Sequence, residues 1–171
     1  MGGKGLQSLF ARMLLTVLTI GMMVLIFRFS MEKADDSDRT SGRFSRIVIS
    51  VLYPEYESYD FARKQEIYDD IQFRVRKTAH FAEYAALGLL LRLCLESWFG
   101  KRKWIPVCGW TIGTLYACSD ELHQLLTDGR SGQWTDVLLD SAGVFAGVAA
   151  ACAALYMFRR KKRNGGSVSC P

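Results

Sequence analysis

Cysteine occurs only five times in 171 residues, too few and too badly placed for a disulfide scaffold. Cys94, Cys108, Cys118 and Cys152 fall inside apolar stretches, and only Cys170 lies in a polar tail, so the thiols read as packing residues. No serine or cysteine nucleophile sits beside a base, and no glycine-rich phosphate loop or nucleic-acid motif is present. The terminal Cys170-Pro171 lacks the four-residue prenylation pattern, so no lipid anchor is expected. Internal repeats are missing too, and low complexity is confined to the residues after Arg163.

What the chain does contain is unevenly distributed. Half of its residues are hydrophobic and 23% are charged, averages that suit a soluble domain, yet the two kinds are segregated. Four stretches of about 20 residues are almost purely apolar, the length of a helix that crosses a bilayer. Helices apolar all round would need a larger soluble core than a chain this short can wrap. The expected fold is therefore all-α and polytopic, with about four transmembrane helices in a small bundle. The spans are placed at 9–29, 78–99, 104–126 and 136–158, within one membrane domain covering 1–163, and 164–171 is expected to be a disordered tail. The first span follows Lys4 and Arg12 and could be a secretory signal, but Arg28-Phe29-Ser30-Met31-Glu32 offers no small-x-small cleavage site, so a retained anchor is expected. Arg92 interrupts the second span and must snorkel or pair.

Orientation follows from the basic residues. Placing both termini in the cytoplasm puts Lys4, Arg12, Lys101, Arg102, Lys103 and the run from Arg159 to Arg163 on one side in short segments, with Glu96 the one acid nearby. The expected location is the cell membrane, multi-pass, and lipid is the first partner; the basic tail suits an anionic inner leaflet. The loop between the first two spans carries an amphipathic segment. Phe44, Ile47, Val48, Val51 and Leu52 recur at helical spacing, and Tyr53-Pro54 ends the run. This stripe is expected to pack on the bundle or lie on the membrane surface, and Ile67, Ile71 and Val75 to extend the second span outward.

Ionisable groups in or beside spans are costly, so their positions carry functional information. Here three helix ends on the external side are polar. The start of the second span, KTAHFAEYAALG, presents Lys77, His80, Glu83 and Tyr84 on one face. The end of the third, ACSDELHQLL, offers Asp120, His123 and Gln124 on one face, with Glu121 about a quarter-turn away. The next loop holds Arg130, and the fourth span opens with Asp136 and Asp140 above Gly143 and Gly147 on a single stripe. Two glycines four apart let a neighbouring helix approach closely, so the stripe should face the bundle and carry both acids inward. These residues form a candidate binding pocket: Lys77, His80, Glu83, Tyr84, Asp120, Glu121, His123, Gln124, Arg130, Asp136 and Asp140. Pairing that merely locks the helix ends together is the competing reading.

The motifs K-x-x-H-F-x-E-Y, D-E-x-H-Q and R-x-x-x-x-x-D-x-x-x-D-x-x-G, together with FRFS near Phe27, resemble the VanZ-like family of small bacterial membrane proteins, named for a teicoplanin-resistance protein. The resemblance spans about Phe27 to Gly147, and the family positions fall on the pocket residues above, on Phe81, and on Gly143 and Gly147. It implies a helical integral membrane protein of the cell envelope, linked in some members to glycopeptide resistance, without a settled reaction. Three functions stay open. The chain could bind or handle a lipid-linked cell-wall precursor or a glycopeptide at the outer face, with Lys77 and Arg130 meeting an anionic group. It could be an enzyme on a lipid-linked substrate, with His80, Glu83, Asp120, Glu121 or His123 in acid–base roles, or with Asp120, Glu121, Asp136 and Asp140 joining His80 and His123 to hold a divalent metal, although an enzyme is the less expected outcome and no cofactor is anticipated. Or it could be a structural or partner-binding membrane protein. No nucleic-acid partner is expected.

Overall fold

Apolar stretches without charge leave backbone amides no partner but one another, and in a bilayer the continuous helix satisfies them all. The computed structural model, described for residues 2–31, 34–125 and 133–165, is built from helices alone within those residues. They are α1 (Gly2–Ser30), α2 (Ala34–Leu52), α3 (Phe61–Phe99), α4 (Ile105–Gln124) and α5 (Trp134–Gly165), with one 3-10 turn at Tyr56–Ser58. Asp60 caps α3 by accepting the Arg63 amide at 3.1 Å, and Gly100 ends it at a φ of 69°, a left-handed value glycine adopts without strain. Pro106 sits in the first turn of α4, where its missing N–H costs nothing.

Side-chain contacts fix the directions of the helices. Midway along α1, Thr16 accepts the Trp98 indole N–H at 3.0 Å at the end of α3, while further along the Met23 carbonyl accepts the Tyr116 hydroxyl at 2.6 Å. Phe27 then stacks on His123 with ring centroids 4.8 Å apart. So α1 runs antiparallel to α3 and parallel to α4. Helix α5 runs parallel to α3, because Asp136 pairs with Lys77 at one end and Arg159 with Glu96 at the other. The result is an up-down-up-down bundle whose centre is Tyr84, Leu87, Leu91, Ala117, Val144 and Val148, with Ile26 from α1.

Glycine sets the spacing inside it. A Cβ on Gly143 would lie 2.6 Å from the Phe81 carbonyl oxygen, and one on Gly147 would overlap the Ala85 carbonyl. Gly88 of α3 and Gly113 of α4 lie on either side of Val144: a Cβ on the first would overlap its carbonyl, and one on the second would meet its Cγ1 at 2.5 Å. Lipid gives no hydrophobic reward for burying leucine against leucine, so helices in a membrane gain most from such close backbone approach.

Among the described residues, three helices are long and apolar enough to cross a membrane, over Ser8–Ser30, Phe61–Phe99 and Trp134–Lys161. The expected third span is the exception. At 20 residues, any 18-residue stretch of α4 includes Asp120 and Glu121, which lower its average. Both acids are turned inward with Gln124, and the outward surface carries Val107, Leu115 and Leu122, each more than 60% exposed. The polar residues that lower its hydropathy are therefore those it hides from the surroundings. Helix α5 also continues through Asn164 and Gly165, which the sequence assigns to the tail, since the run Arg159 to Arg163 consists of good helix formers.

The α3 helix, 39 residues long, extends roughly 58 Å at the usual rise, nearly twice a hydrocarbon layer. Its first part is the outward extension expected from Ile67, Ile71 and Val75, and α2 packs along it through Ile49. That contact differs from the expected one. Gly42 and Ser45 are small enough to bring α2 against α3 beside Ile49, whereas Phe44, Ile47, Val51 and Leu52 point away and are 60–72% exposed. The apolar stripe read from the sequence is thus the outer face of α2, with only Val48 joining the contact with α3.

Candidate functional site

Packing α3, α4 and α5 in this register brings their polar ends to one end of the bundle. Tyr84, fully buried, donates its hydroxyl to Asp120 Oδ2 at 3.1 Å, and Gln124 Nε2 donates to the same oxygen at 3.3 Å. One turn of α5 above Val144 lies Asp140, 1% exposed and within electrostatic reach of Asp120, Glu121, Asp136 and Lys77. Glu121 accepts the Gln133 amide at 2.5 Å, tying the end of α4 to the start of α5. Lys77 pairs with Asp136 and stacks over Phe73. Of the groups expected to converge, these seven side chains, Lys77, Tyr84, Asp120, Glu121, Gln124, Asp136 and Asp140, form a connected set.

The remaining candidates stand apart from it or beyond description. His123 turns its ring to Phe27 of α1. His80 and Glu83 are half-buried on α3 and have partners of their own. Arg130 lies outside the described residues. Among the described residues no three histidine, cysteine, aspartate or glutamate side chains gather closely enough to hold a metal ion.

The set carries more acid than base. Among the described residues, Asp120, Glu121, Asp136 and Asp140 face one ammonium, Lys77, which already has Asp136 as its counter-ion. Among the described residues, Asp120 Oδ1 and Asp140 Oδ1 are buried without a hydrogen-bond partner. Buried carboxylate oxygens in that condition cost free energy that apolar residues of the same size would not. Beside them, Trp110 Nε1 donates to Ser141 Oγ at 3.1 Å, and Thr114 and Ser141 hydroxyls lie 2.9 Å apart. This small network between α4 and α5 escapes sequence reading, because neutral hydroxyls inside apolar runs look like neutral helix positions. Gly109 and Gly113, four apart on α4, gave the one available signal that α4 would also meet a neighbour closely.

Replacing Tyr84 by phenylalanine removes one hydrogen bond to Asp120 without opening a cavity. A loss of about 2 kcal/mol is expected, the usual value for a bond to a charged partner. Thermal unfolding of the purified protein in detergent measures it, and an unchanged midpoint would show that Asp120 draws nothing from Tyr84.

A small helical bundle with membrane-spanning length and a buried, acid-rich polar set at one end defines a polytopic integral membrane protein. A family model described as VanZ/LLP1 matches residues 15–158, nearly the whole chain, and the protein belongs to that family. No curated protein and no solved structure matches it.

Proposed function

We propose that the protein binds or handles a cell-envelope component or a glycopeptide at the outer face of the membrane, through the pocket formed by Tyr84, Asp120, Glu121, Asp136 and Asp140. The observation that carries this reading is the pair of buried, unpartnered oxygens, Asp120 Oδ1 and Asp140 Oδ1. Both oxygens belong to one acid-rich set at a single end of the bundle, where an open acceptor can take a hydrogen bond from a ligand. Because Lys77 is engaged by Asp136, the pocket favours the hydroxyl, amide or ammonium groups of a ligand over its anionic ones. Membership of the VanZ/LLP1 family supports a role at the envelope, and teicoplanin is the natural first glycopeptide to try.

The test compares teicoplanin susceptibility in cells making equal amounts of the wild-type protein or Asp140→Asn. Wild type is expected to raise the inhibitory concentration several-fold and the variant to return it to the level of cells lacking the protein. Retained resistance in the variant would remove the pocket from the mechanism, and no effect of wild type would remove glycopeptide handling. Orientation is tested in a cysteine-free background with an impermeant thiol reagent added outside intact cells. With both termini cytoplasmic, Gln133→Cys is labelled and Arg102→Cys is not; the reverse pattern would place the pocket in the cytoplasm.

A further inference from the structure

The hairpin made by α2 and the first part of α3 ends in a cleft of about 490 Å³, lined by Arg46, Ser50, Tyr53, Tyr56, Glu57 and Tyr68 together with Ile49 and Pro54. That volume lies within the range of small-molecule sites, roughly 300–1,000 Å³. Four of the seven tyrosines of the chain, Tyr53, Tyr56, Tyr59 and Tyr68, gather around this tip, a concentration that nonspecific packing between two short helices does not require. Lys64 and Tyr68 stand nine to thirteen residues before Lys77 on α3, so along the helix axis the cleft lies about 13–20 Å beyond the polar end of the bundle. Headgroups occupy only about 5–8 Å outside the hydrocarbon. With α3 upright in the bilayer and Lys77 at its boundary, the cleft stands beyond the headgroups, where a water-soluble ligand reaches it.

The chemistry of the lining is specific. Tyr56 is held in place, its hydroxyl donating to the Lys64 carbonyl at 3.1 Å and its ring lying under the Lys64 ammonium. Lys64 in turn pairs with Glu57 at 2.9 Å, which neutralises the one acid of the cleft. Arg46 anchors its Nε to the Gly42 carbonyl at 3.2 Å and makes no ion pair among the described residues, so both terminal amino groups of its fork are available. The Tyr53 and Tyr68 hydroxyls likewise donate no hydrogen bond among the described residues, and both rings are half-buried. Flat aromatic faces rimmed by hydroxyls match a pyranose ring, which has an apolar C–H face and hydroxyl edges. A free guanidinium fork matches a carboxylate in two-point contact.

From this juxtaposition we infer that the tip of the α2–α3 hairpin is a second binding site, separate from the acid-rich pocket, for a sugar that carries a carboxylate. The pyranose stacks on Tyr68, Ser50 and the Tyr53 phenol take its hydroxyls, and Arg46 takes the acid. Uronic acids and lactyl-ether sugars share this chemistry, and the experiment separates them.

The test is saturation-transfer NMR on the full chain in nanodiscs of phosphatidylcholine, with N-acetylmuramic acid, glucuronic acid and neutral N-acetylglucosamine as probes. Transfer to the ring protons of at least one of the two acids should exceed that to the neutral sugar at least fivefold, and the stronger of the two identifies the source. Arg46→Ala should reduce the acids to the neutral level, and Tyr68→Ala should abolish transfer to all three. Both residues lie outside the bundle, and unchanged helix content by circular dichroism verifies that the variants are folded. Equal transfer to acidic and neutral sugars, insensitivity to Arg46→Ala, or transfer to a carboxylated peptide such as Ala-Glu and to neither acid would overturn the assignment.

Discussion

Replacing Gly147 by leucine is expected to leave little folded protein in the membrane. A Cβ alone at this position overlaps the Ala85 carbonyl oxygen and stands 2.8 Å from the Leu89 amide nitrogen. Both obstacles are backbone in the middle of α3, so neither can swing aside as the end of a side chain would. Separating α3 from α5 to make room would also part Gly143 from Phe81 and Gly88 from Val144, the other close approaches of the same interface. Overpacking a well-fitted core usually costs about 1–3 kcal/mol, and here the upper end or more is expected because the contact cannot be repacked locally. Gly21→Leu is the control: nothing lies within 4 Å of its Cβ position on the outer side of α1. The folded fraction after detergent extraction, read by gel filtration and thermal unfolding, should collapse for Gly147→Leu and stay at the wild-type value for Gly21→Leu. Equal behaviour of the two would mean that α3 and α5 are not held at this distance.

The second large effect concerns the opposite end of the bundle. Arg92, 5% exposed, pairs with Glu96 at 2.5 Å one turn along α3, and Arg159 reaches Glu96 from α5. Its remaining contact is Nε to the Cys152 sulfur at 3.3 Å, and Nη1 has no partner. Glu96→Ala would strand a buried guanidinium among apolar neighbours, at a cost of about 3–5 kcal/mol for breaking one side of a buried ion pair. Removing both charges is a different experiment. The double variant Arg92→Leu/Glu96→Leu should recover most of that loss, since apolar residues of similar size suit this environment, leaving only Arg159, which is exposed enough to find water. Unfolding midpoints of the single and double variants decide the matter. If the double variant is as unstable as Glu96→Ala, the pair contributes net stability beyond solving the burial of Arg92.

How much of this could be read beforehand differs from helix to helix. The long apolar runs of α1 and α5 announce themselves, because hydropathy over a span is a property of the residues alone. The need of Arg92 for a partner was legible as a cost, but its partners on two helices were not. Helix α2 shows the limit more sharply. Its periodicity correctly marks an amphipathic helix, yet the face it uses against α3 is that of Gly42, Ser45 and Ile49, because small side chains permit an approach that Phe44 and Ile47 would block. Periodicity tells which residues share a face, and size on a neighbouring helix decides which face is used.

The polar ends follow the same division. Lys77, Tyr84, Asp120, Asp136 and Asp140 stand out in the sequence because charged and phenolic groups are expensive beside apolar runs, and Gly143 and Gly147 below them mark a close interface. Composition and spacing therefore determined that the chain is a bundle of membrane helices with its costly groups at helix ends. Only the tertiary arrangement decided that Asp136 takes Lys77, that Tyr84 and Gln124 share one oxygen of Asp120, that His123 turns to Phe27, and that Asp140 is buried with an oxygen unpartnered. The reason is physical: the cost of burying a group is a property of that residue and its chemistry, whereas its burial and its partner depend on the distance between helices, which these glycines set and no single segment contains.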